Sequence, residues 1–496
     1  MFSNLMSLHL FVPEIALATG IVLLLVWDLV FKLRRGTAAF ITLATLLCAA
    51  VTTWVSGGDT TALFNGLIVR DPFTDFFKIF FVLVTAVVAV VSLKAKDAID
   101  YTGGKDREAA EYYALLLTAA LGMNLMAAAA DLLMAYLALE MVSLVSYVMV
   151  GFKKRNLQSS EAALKYVIFG GVASGVMLFG LSLLYGLSGG TAFDAVRVAL
   201  IAQGDSSLMI TILAVTCVMA GFGYKIAAVP FHMWCPDAYQ GAPTPVTAFL
   251  SVGPKAAGIA LLIRFFTEGW GAVPGDDLLF GAPWAVMLGV LSAATMTLGN
   301  LSALLQSNIK RLLAYSSIAH AGYLLMALAV FSREGEQAIL FYLVAYLFMN
   351  LGAFVVVIGF SEAGIGEDID SYNGLGVRAP LFAAFMAVFL FSLTGLPPMA
   401  GFVGKFYLFA AVLPKGGPFF MTLALIGILN SAISLYYYAR ILKAMYFRKS
   451  EAADAPLSVP TVHRATALAM AVPTLILGVY WAPVMDTIKR ALAVWG

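Results

Sequence analysis

The sequence has few charged residues and lacks the common motifs that hold metals and nucleotides. Only 12% of its 496 residues are charged, against roughly a quarter in soluble domains. Its three cysteines, Cys48, Cys217 and Cys235, have no C-x-x-C spacing, which argues against a zinc or iron–sulfur site. No Gly-Lys-Ser/Thr phosphate loop and no G-x-G-x-x-G after a strand pattern occurs. We therefore expect no metal, cofactor or nucleotide to be bound by this chain.

The charge balance and the N-terminus exclude two further classes. A formal net charge of +2 without a basic tail predicts no nucleic-acid partner. The first apolar run, Leu10 to Phe31, has no positive leader and is too long for a signal peptide, and the basic residues Lys32, Arg34 and Arg35 follow it. We interpret this run as a retained first membrane span.

Long apolar runs make up most of the chain. The sequence is 61% hydrophobic with a mean hydropathy of +0.92, and runs of about 20 apolar residues are long enough to cross roughly 30 Å of hydrocarbon. This pattern predicts an all-α polytopic membrane protein with about fourteen transmembrane helices. The predicted limits are 9–31, 37–56, 72–93, 110–129, 131–151, 161–187, 207–229, 244–266, 280–299, 310–331, 336–360, 380–412, 419–446 and 465–484. Asp131 marks the expected turn between the fourth and fifth spans.

Lysine and arginine are distributed unevenly between the connections. Loops after odd-numbered spans hold 18 of them, and loops after even-numbered spans together with the C-terminus hold 7. Since basic residues concentrate on the cytoplasmic side, both termini should lie on the outer side. The other five lie within spans. Lys78 and Lys165 are near span ends, where a lysine can reach the headgroups, whereas Lys225, Lys255 and Lys405 are deep.

The deep lysines are candidate functional residues. Lys225 ends A-G-F-G-Y-K and Lys405 ends A-G-F-V-G-K, 180 residues later. A lysine inside the membrane costs roughly 2.5–3.5 kcal/mol on insertion scales, so it is retained for a reason. One such lysine is explained by an ion pair between helices or by reaching an interface. Three, two of them in repeated hexapeptides, favour proton handling.

Glu140 and His320 extend this set. Glu140 lies near the middle of span five, where an unpaired carboxylate would become neutral, and Lys225 is its candidate partner. Such a pair titrates as a unit, so moving one partner changes the proton affinity of the other. Glu140 plus 180 is His320 in Y-S-S-I-A-H-A-G-Y. A lone helical histidine is often only a core residue, but this correspondence predicts a duplicated five-helix unit.

Glycine and proline near two of the lysines predict interrupted helices. Span seven has Gly223 just before Lys225 and Pro230 after it, and span twelve has Gly395, Pro397 and Pro398 before its lysine. Proline removes a backbone donor and clashes with the preceding turn. Broken helices near the midplane are typical of ion sites in transporters, although packing kinks are the simpler explanation.

Three residues are candidates for proton uptake. Glu161 and Lys165 are four residues apart on a predicted helix, so they could take up protons or form only a helix salt bridge. His232 follows Pro230 at the predicted interruption and is the third candidate.

Three segments resemble one membrane-protein family. They are F-H-M-W-C-P-D-A-Y-Q-G-A-P-T-P-V-T-A-F-L-S-V-G-P-K-A-A at 231–257, E-A-A-L-K-Y at 161–166 and G-L-P-P-M-A-G-F-V-G-K-F-Y-L-F at 395–409. All three closely resemble the antiporter-like membrane subunits of respiratory complex I, the proton-translocating NADH:quinone oxidoreductase, and among these the N type. The resemblance covers essentially the whole chain and is most specific at P-D-A-Y-Q-G-A-P-T-P-V.

Related subunits fit less well. The M type resembles this chain but has glutamate at the position of Lys405, and the L type has a long C-terminal amphipathic extension. Stand-alone multisubunit sodium/proton antiporters share the buried lysines, and they remain the alternative function. A different class, an uncoupled solute channel or a structural spacer, would tolerate Lys405→Met.

The resemblance also implies a fold and a set of site residues. It implies two inverted five-helix repeats, spans 4–8 and 9–13, with two discontinuous helices. We therefore divide the chain into 1–109 (three spans), 110–270 (first repeat), 271–450 (second repeat) and 451–496 (last span). Carried over by motif, Glu140 and Lys225 are the acid–lysine pair and Lys255 is the central lysine. His320 lies on the linking path, and Lys405 is the terminal lysine.

The implied function is proton transfer from the cytoplasm to the outer side, driven by quinone reduction elsewhere in the complex. FMN, iron–sulfur clusters and quinone are expected in partner subunits and not in this chain. The expected partners are neighbouring antiporter-like and small helical membrane subunits and lipids, with NADH and quinone met only through the whole complex. The expected location is the bacterial cytoplasmic (inner) membrane, crossed many times.

Overall fold

The protein consists of long helices and one short hairpin. A computed structural model describes residues 7–58, 60–95, 108–270, 281–449 and 455–495. In its first half the helices are α1 Val12–Phe31, α2 Arg35–Ser56, α3 Pro72–Ser92, α4 Ala109–Ala128, α5 Leu132–Val150, α6 Leu157–Ser188, α7 Phe193–Gln203, α8 Leu208–Ile226, α9 Trp234–Gly241 and α10 Thr244–Trp270. Strands β1 Thr61–Leu63 and β2 Ile68–Arg70 form an antiparallel pair between α2 and α3.

The second half continues in the same way. Its helices are α11 Gly281–Leu304, α12 Ile309–Leu328, α13 Arg333–Glu362, α14 Leu375–Arg378, α15 Pro380–Thr394, α16 Ala400–Val412, α17 Gly417–Phe447, α18 Thr461–Val479 and α19 Ala482–Leu492. The predicted boundaries at 270/271 and 450/451 adjoin 271–280 and 450–454, which lie outside the described residues.

The predicted helical membrane fold is confirmed. Within the described residues, 11 helices are long and apolar enough to cross a membrane. Two of the other predicted spans are the 20-residue helices α4 and α12, and one is the pair α15 and α16. Each of the fourteen predicted spans therefore coincides with helix. The most buried are α10 and α13, at 100% and 89% of their apolar window, so they form the centre of the molecule.

Polar caps separate neighbouring spans. Asp131 ends the turn between α4 and α5, and its Oδ1 accepts hydrogen bonds from the backbone N–H groups of Leu133 (2.8 Å) and Met134 (3.3 Å). Asn308 caps α12 in the same way. Such caps satisfy amides that have no partner within the helix. The turn predicted at Asp131 is confirmed.

Both described termini lie at one end of the bundle, which we call the terminus end. The N–H of Phe64, in the connection after α2, donates to Ser7 (3.2 Å). Near the C-terminus, Trp495 Nε1 donates to Glu268 at the end of α10 (3.4 Å). Connections after even-numbered spans lie at this end, and those after odd-numbered spans lie at the opposite end. The charge count predicts that the opposite end faces the cytoplasm.

A pair of backbone hydrogen bonds recurs in the two halves. The turn before α5 is tied to the segment before α7, and the turn before α12 is tied to the segment after α13. The bonds are Leu132 N to Thr191 O (2.8 Å), Phe193 N to Ala130 O (3.0 Å), Ile309 N to Glu367 O (2.8 Å) and Ile369 N to Ser307 O (2.8 Å). The first tie is at the terminus end and the second at the opposite end, so the two five-span units are inverted.

The spacing of these ties refines the predicted correspondence. From 132 to 309 it is 177 residues, and from 191 to 367 it is 176, whereas the lysine hexapeptides are 180 apart. The difference of three or four residues is about one helical turn. Glu140 and His320 therefore lie on equivalent faces of α5 and α12, but one turn apart.

Two spans are interrupted, as predicted, and the interruptions run from 227 to 233 and from 395 to 399. Pro230, Pro397 and Pro398 lie within them, and Gly395 begins the second in the left-handed region (φ +89°). Gly223 is different, because it lies inside α8. A Cβ there would come within 2.7 Å of the Phe231 ring. This glycine makes room for the interruption and does not form it.

Candidate functional site

Lys225 lies in the last turn of α8 and is almost completely buried. Its Nζ donates a hydrogen bond to Ser143 Oγ (3.0 Å) on α5. Glu140, one turn before Ser143, is only partly buried and accepts a hydrogen bond from Ser174 on α6. Among the described residues, no direct ion pair joins Glu140 to Lys225. The predicted partners are thus neighbours through one face of α5, with Ser143 between them.

The side-chain stem of Lys225 crosses towards α10. A Cβ at Gly258 would lie 3.2 Å from Lys225 Cγ, so this glycine permits the close approach. Lys255 is three residues earlier on the same helix and therefore on the same face. The two lysines are brought together by packing of α8 on α10.

Lys255 is buried where α9, α10 and α12 meet. Its Nζ donates to Ser317 Oγ on α12 (2.6 Å) and lies 3.8 Å from Cys235 Sγ on α9. The ring of Tyr239, also on α9, is 5.5 Å from the ammonium. Ser317 in turn donates to Tyr239 OH (3.4 Å). Hydroxyl groups and an aromatic face therefore surround this charge in place of a carboxylate.

His320 is buried between two tyrosines. Its Nδ1 shares a hydrogen bond with Tyr342 OH on α13 (2.5 Å), and its Nε2 shares one with Tyr438 OH on α17 (3.2 Å). Tyr438 continues the contact to Ser316. The imidazole thus has a hydroxyl on each ring nitrogen, which is the arrangement that allows a proton to arrive at one nitrogen and leave from the other.

Lys405 is on α16, just after the second interruption. Its Nζ donates to the carbonyl of Thr394 (2.8 Å) and to Ser431 Oγ on α17 (2.9 Å), and it lies 5.0 Å from the Tyr323 ring centroid. A cavity of about 510 Å³ adjoins it. Thr394 is the last residue of α15, so the ammonium satisfies a carbonyl that has no partner within its helix.

The two hexapeptide lysines share one electrostatic feature. Lys225 lies in the last turn of α8, and Lys405 Nζ reaches the last carbonyl of α15. Both ammonium groups are thus at the C-terminal end of the first half of an interrupted span. The helix dipole is negative there and stabilises a positive charge. The lysines themselves lie on opposite sides of their interruptions.

One face of α12 connects the second-half groups. Ser317, His320 and Tyr323 follow one another at intervals of three residues, which places them on one face of the helix. Ser317 contacts Lys255, and Tyr323 faces Lys405. His320 lies between these two contacts. The sequence motif Y-S-S-I-A-H-A-G-Y therefore forms a continuous polar stripe from the central lysine to the terminal lysine.

Several buried polar atoms along this stripe have no protein partner among the described residues. They include Tyr323 OH, Tyr346 OH, Asn350 Oδ1 and His232 Nδ1. Asn350 uses its other group, because Nδ2 donates to Ser251 Oγ (2.7 Å), one turn from Lys255. Buried polar groups are nearly always hydrogen-bonded to protein or water. This region therefore suits internal water.

The candidates for proton uptake lie apart from one another. Lys165 Nζ is 2.8 Å from Glu161 and 2.8 Å from Asp237 on α9, so the i,i+4 salt bridge is present. His232 is buried within the first interruption. The structure thus places Lys165 at the opposite end of the bundle and His232 towards the interior.

Two buried ion pairs lie outside this site, and both differ from expectation. Lys78 does not reach an interface. It is buried and its Nζ is 2.9 Å from Glu14 Oε1. Arg264, counted above as a residue of an outer connection, is fully buried with Asp71 (2.8 Å). In the described part of the chain, no group of three or more His, Cys, Asp or Glu could hold a metal ion.

The sequence did not reveal the hydroxyl partners of the buried charges. Ser143, Ser317, Ser431, Tyr342 and Tyr438 each contact a lysine or the histidine. Their signal is weak, because serine and tyrosine are ordinary residues in membrane helices. Only Ser317 could have been found, since it is three residues before His320 on the same helix face.

Comparisons with known proteins agree with these features. The transmembrane family described as "NADH:quinone oxidoreductase/Mrp antiporter, TM" matches residues 129–433, which include the five candidate proton-transfer residues. The protein named NADH-quinone oxidoreductase subunit N 2 of Sorangium cellulosum is 50% identical, over 99% of this chain and 98% of that protein. The protein named NADH-quinone oxidoreductase subunit N of Anaeromyxobacter sp. is 47% identical, over 99% and 97%.

Solved structures show the same fold. A chain of respiratory complex I from Thermus thermophilus matches with a TM-score of 0.79 and 32% identity, over 96% of this chain and 99% of that chain. A chain of the Mrp complex from Dietzia sp. matches with a TM-score of 0.82 but only 22% identity, over 98% and 97%. The second likeness shows a common fold and nothing about the reaction.

Proposed function

The chain belongs to the antiporter-like transmembrane family of NADH:quinone oxidoreductase, as an N-type subunit of that proton-translocating enzyme, and we propose that it moves protons along its buried lysines. Protons enter from the cytoplasmic side through the first repeat (110–270) and reach Lys225 and Lys255. They pass His320 to Lys405 in the second repeat (271–450) and leave on the outer side. Quinone reduction in partner subunits supplies the energy.

The observation that carries this proposal is the polar face of α12. Ser317 accepts from Lys255, His320 has a hydroxyl on each ring nitrogen, and Tyr323 faces Lys405. The three side chains form the only contacts that the proposal requires between the central and terminal lysines. The polar atoms without protein partners provide places for water between them.

Glu140 is the proposed control element. It contacts Ser174 and is partly exposed, while Lys225 contacts Ser143. Because Coulomb energy in a low-dielectric interior changes strongly over a few ångströms, a small movement of Glu140 alters the stability of the protonated lysine. Moving one proton against about 150 mV requires roughly 3.5 kcal/mol, which is within the range of rearranging one buried ion pair.

The test uses inverted membrane vesicles that contain the whole complex. Lys225→Met and Lys405→Met should each strongly reduce NADH-driven acidification of the vesicle interior in an assembled complex. Lys415→Met, which changes an exposed lysine, is the matched control and should pump normally. Glu140→Ala should reduce both pumping and quinone reduction. Normal pumping in the Lys225 and Lys405 variants would refute the path.

Two further measurements separate the alternatives. Purification of the native chain together with flavin and iron–sulfur subunits supports its place in the respiratory complex. Sodium-dependent proton release without NADH would instead support a stand-alone sodium/proton antiporter. Tagging either terminus and testing its access from outside the cell measures the proposed orientation, with both termini on the outer side of the bacterial cytoplasmic membrane.

A further inference from the structure

The short helix α9 is held at the opposite end of the bundle by basic side chains from both repeats. Asp237 on α9 lies 2.8 Å from Lys165 Nζ on α6 and 2.5 Å from Arg311 Nη1 on α12. Arg311 also donates to Gln240 on α9 (3.1 Å). We call Asp237, Lys165 and Arg311 the Asp237 clamp. It joins the first repeat to the second through one carboxylate.

A second contact secures the end of the same helix. Lys310 Nζ donates to the carbonyl of Ala242, the residue that follows α9, at 3.0 Å. The same ammonium is 3.0 Å from Glu367. The last carbonyls of a helix have no partner within it, so this lysine completes the attachment of α9 to α12. The charged anchors of α9 thus lie at its C-terminal half.

The inner face of α9 forms one wall of the Lys255 site. Cys235 Sγ is 3.8 Å from Lys255 Nζ, and the Tyr239 ring is 5.5 Å from it. Asp237 lies between these two residues in sequence, on the other side of the helix. Since α9 has only eight residues and follows directly on the interruption at 227–233, it can move as a short rigid unit. A shift at the clamp therefore moves both groups that face the central lysine.

The exposure of the clamp distinguishes it from the permanent ion pairs of the molecule. The side chains of Asp237 and Arg311 are 30% and 27% exposed, whereas both partners in Arg264–Asp71 are fully buried. Partly hydrated ion pairs are weaker, because water screens the charges and replaces the lost contacts. The clamp can therefore open and close repeatedly, which a fully buried pair cannot do without leaving a charge in the interior.

We propose that Asp237 is a positioning residue whose ion pairs with Lys165 and Arg311 hold α9 closed over Lys255. Opening the clamp moves Cys235 and Tyr239 away from the lysine and admits water from the cytoplasmic side. The inference rests on the proposed function for its role in transport, but the movement of α9 is a separate physical statement. It assigns Lys165 a part in holding α9, in place of the direct proton uptake expected from the sequence.

Cys235 provides a direct test, because it is buried on α9 beside Lys255. The other two cysteines are replaced by serine (Cys48→Ser and Cys217→Ser), and the whole complex in inverted vesicles is treated with N-ethylmaleimide. Asp237→Asn should raise the alkylation rate of Cys235 about tenfold, the factor that a charge-assisted hydrogen bond contributes to an equilibrium. Equal rates with and without the substitution would overturn the proposal.

The matched control removes a carboxylate from an exposed ion pair at the same end. Asp370 is 2.7 Å from Arg448, and both are largely exposed. Asp370→Asn should leave the alkylation of Cys235 unchanged. An equal rise in this variant would attribute the effect to surface charge and overturn the role of the clamp.

Two other readouts keep the proposal testable if Asp237→Asn does not assemble. Arg311→Gln and Lys165→Gln each leave one ion pair of the clamp, and each should give a smaller rise in alkylation. Asp237→Glu, which retains the charge, should restore most of the protection. A rise that is the same for the charge-retaining and charge-removing variants would contradict the inference.

A transport measurement distinguishes positioning from general stability. If the clamp positions α9, Asp237→Asn should lower the number of protons moved per NADH oxidised, while quinone reduction by the assembled complex continues. Parallel loss of both activities would indicate a structural role only. Increased alkylation in Asp237→Asn together with normal pumping in Lys225→Met would refute the proposed function and leave the movement of α9 intact.

Discussion

Replacing Asp71 with asparagine should destabilise the protein, because it leaves a guanidinium in the interior without its main carboxylate. Arg264 Nη2 lies 3.0 and 2.8 Å from the two carboxylate oxygens of Asp71, and both side chains are fully buried. Breaking a buried ion pair costs about 3–5 kcal/mol. Glu268, 2.5 Å from Nη1 and partly exposed, still compensates in part. The expected loss in free energy of unfolding is therefore about 3 kcal/mol.

The asparagine variant isolates the charge from a second role of Asp71. Its Oδ1 also accepts from the N–H of Thr74 (2.7 Å) and so caps α3. Asparagine caps helices as well as aspartate does, whereas alanine costs about 1 kcal/mol more. Asp71→Ala should therefore be the less stable variant. Adding Arg264→Met to Asp71→Asn should recover stability, because no unpaired charge then remains inside.

The assay heats the detergent-solubilised complex in steps and measures the subunit that stays in the monodisperse size-exclusion peak. Asp71→Asn should lose this peak at a clearly lower temperature than the unsubstituted protein. Asp370→Asn, which removes the carboxylate of the exposed pair with Arg448, should not change it. The reasoning is wrong if Asp71→Asn melts together with this control, or if the double variant is less stable than either single one.

Two other substitutions test the packing and the hydroxyl contacts. Ser143→Ala removes the hydroxyl that accepts from Lys225 (3.0 Å), so proton pumping should slow about tenfold in an assembled complex, and an unchanged rate would contradict the contact. Gly404→Ala places a Cβ 2.7 Å from Tyr342 Cδ2 and should lower thermal stability, whereas Gly186→Ala on α6, with nothing within 4 Å, should not. Equal melting of the two alanine variants would disprove the close approach.

The helices could be predicted from the sequence because the signal is local. An apolar run of about 20 residues in a membrane has few structures open to it, since every backbone polar group must be paired. The turn at Asp131 and the interruptions at Pro230 and Pro397 follow from the same local rules. Even the depth of Lys225 and Lys405 could be inferred, because each lies far from the nearest polar segment.

The partners of the buried charges could not be predicted, because they are distant in sequence. Lys78 is paired with Glu14 across two helices, and hydropathy alone made both residues look interfacial. Glu140 was assigned to Lys225 by charge, yet Ser143 makes the contact. The position of a side chain around a helix depends on which helices pack together. That information is tertiary, and one sequence does not contain it in readable form.

The tied turns before α5 and α12 also preserve a record of how the chain arose. Their hydrogen bonds use only main-chain atoms, so any side chain can be exchanged there without erasing them. Ancestry that has faded from the residues remains legible in these knots of backbone. Comparing their separation with that of the lysine hexapeptides dates a small insertion or deletion to the time after the gene was copied, since both must have started equal.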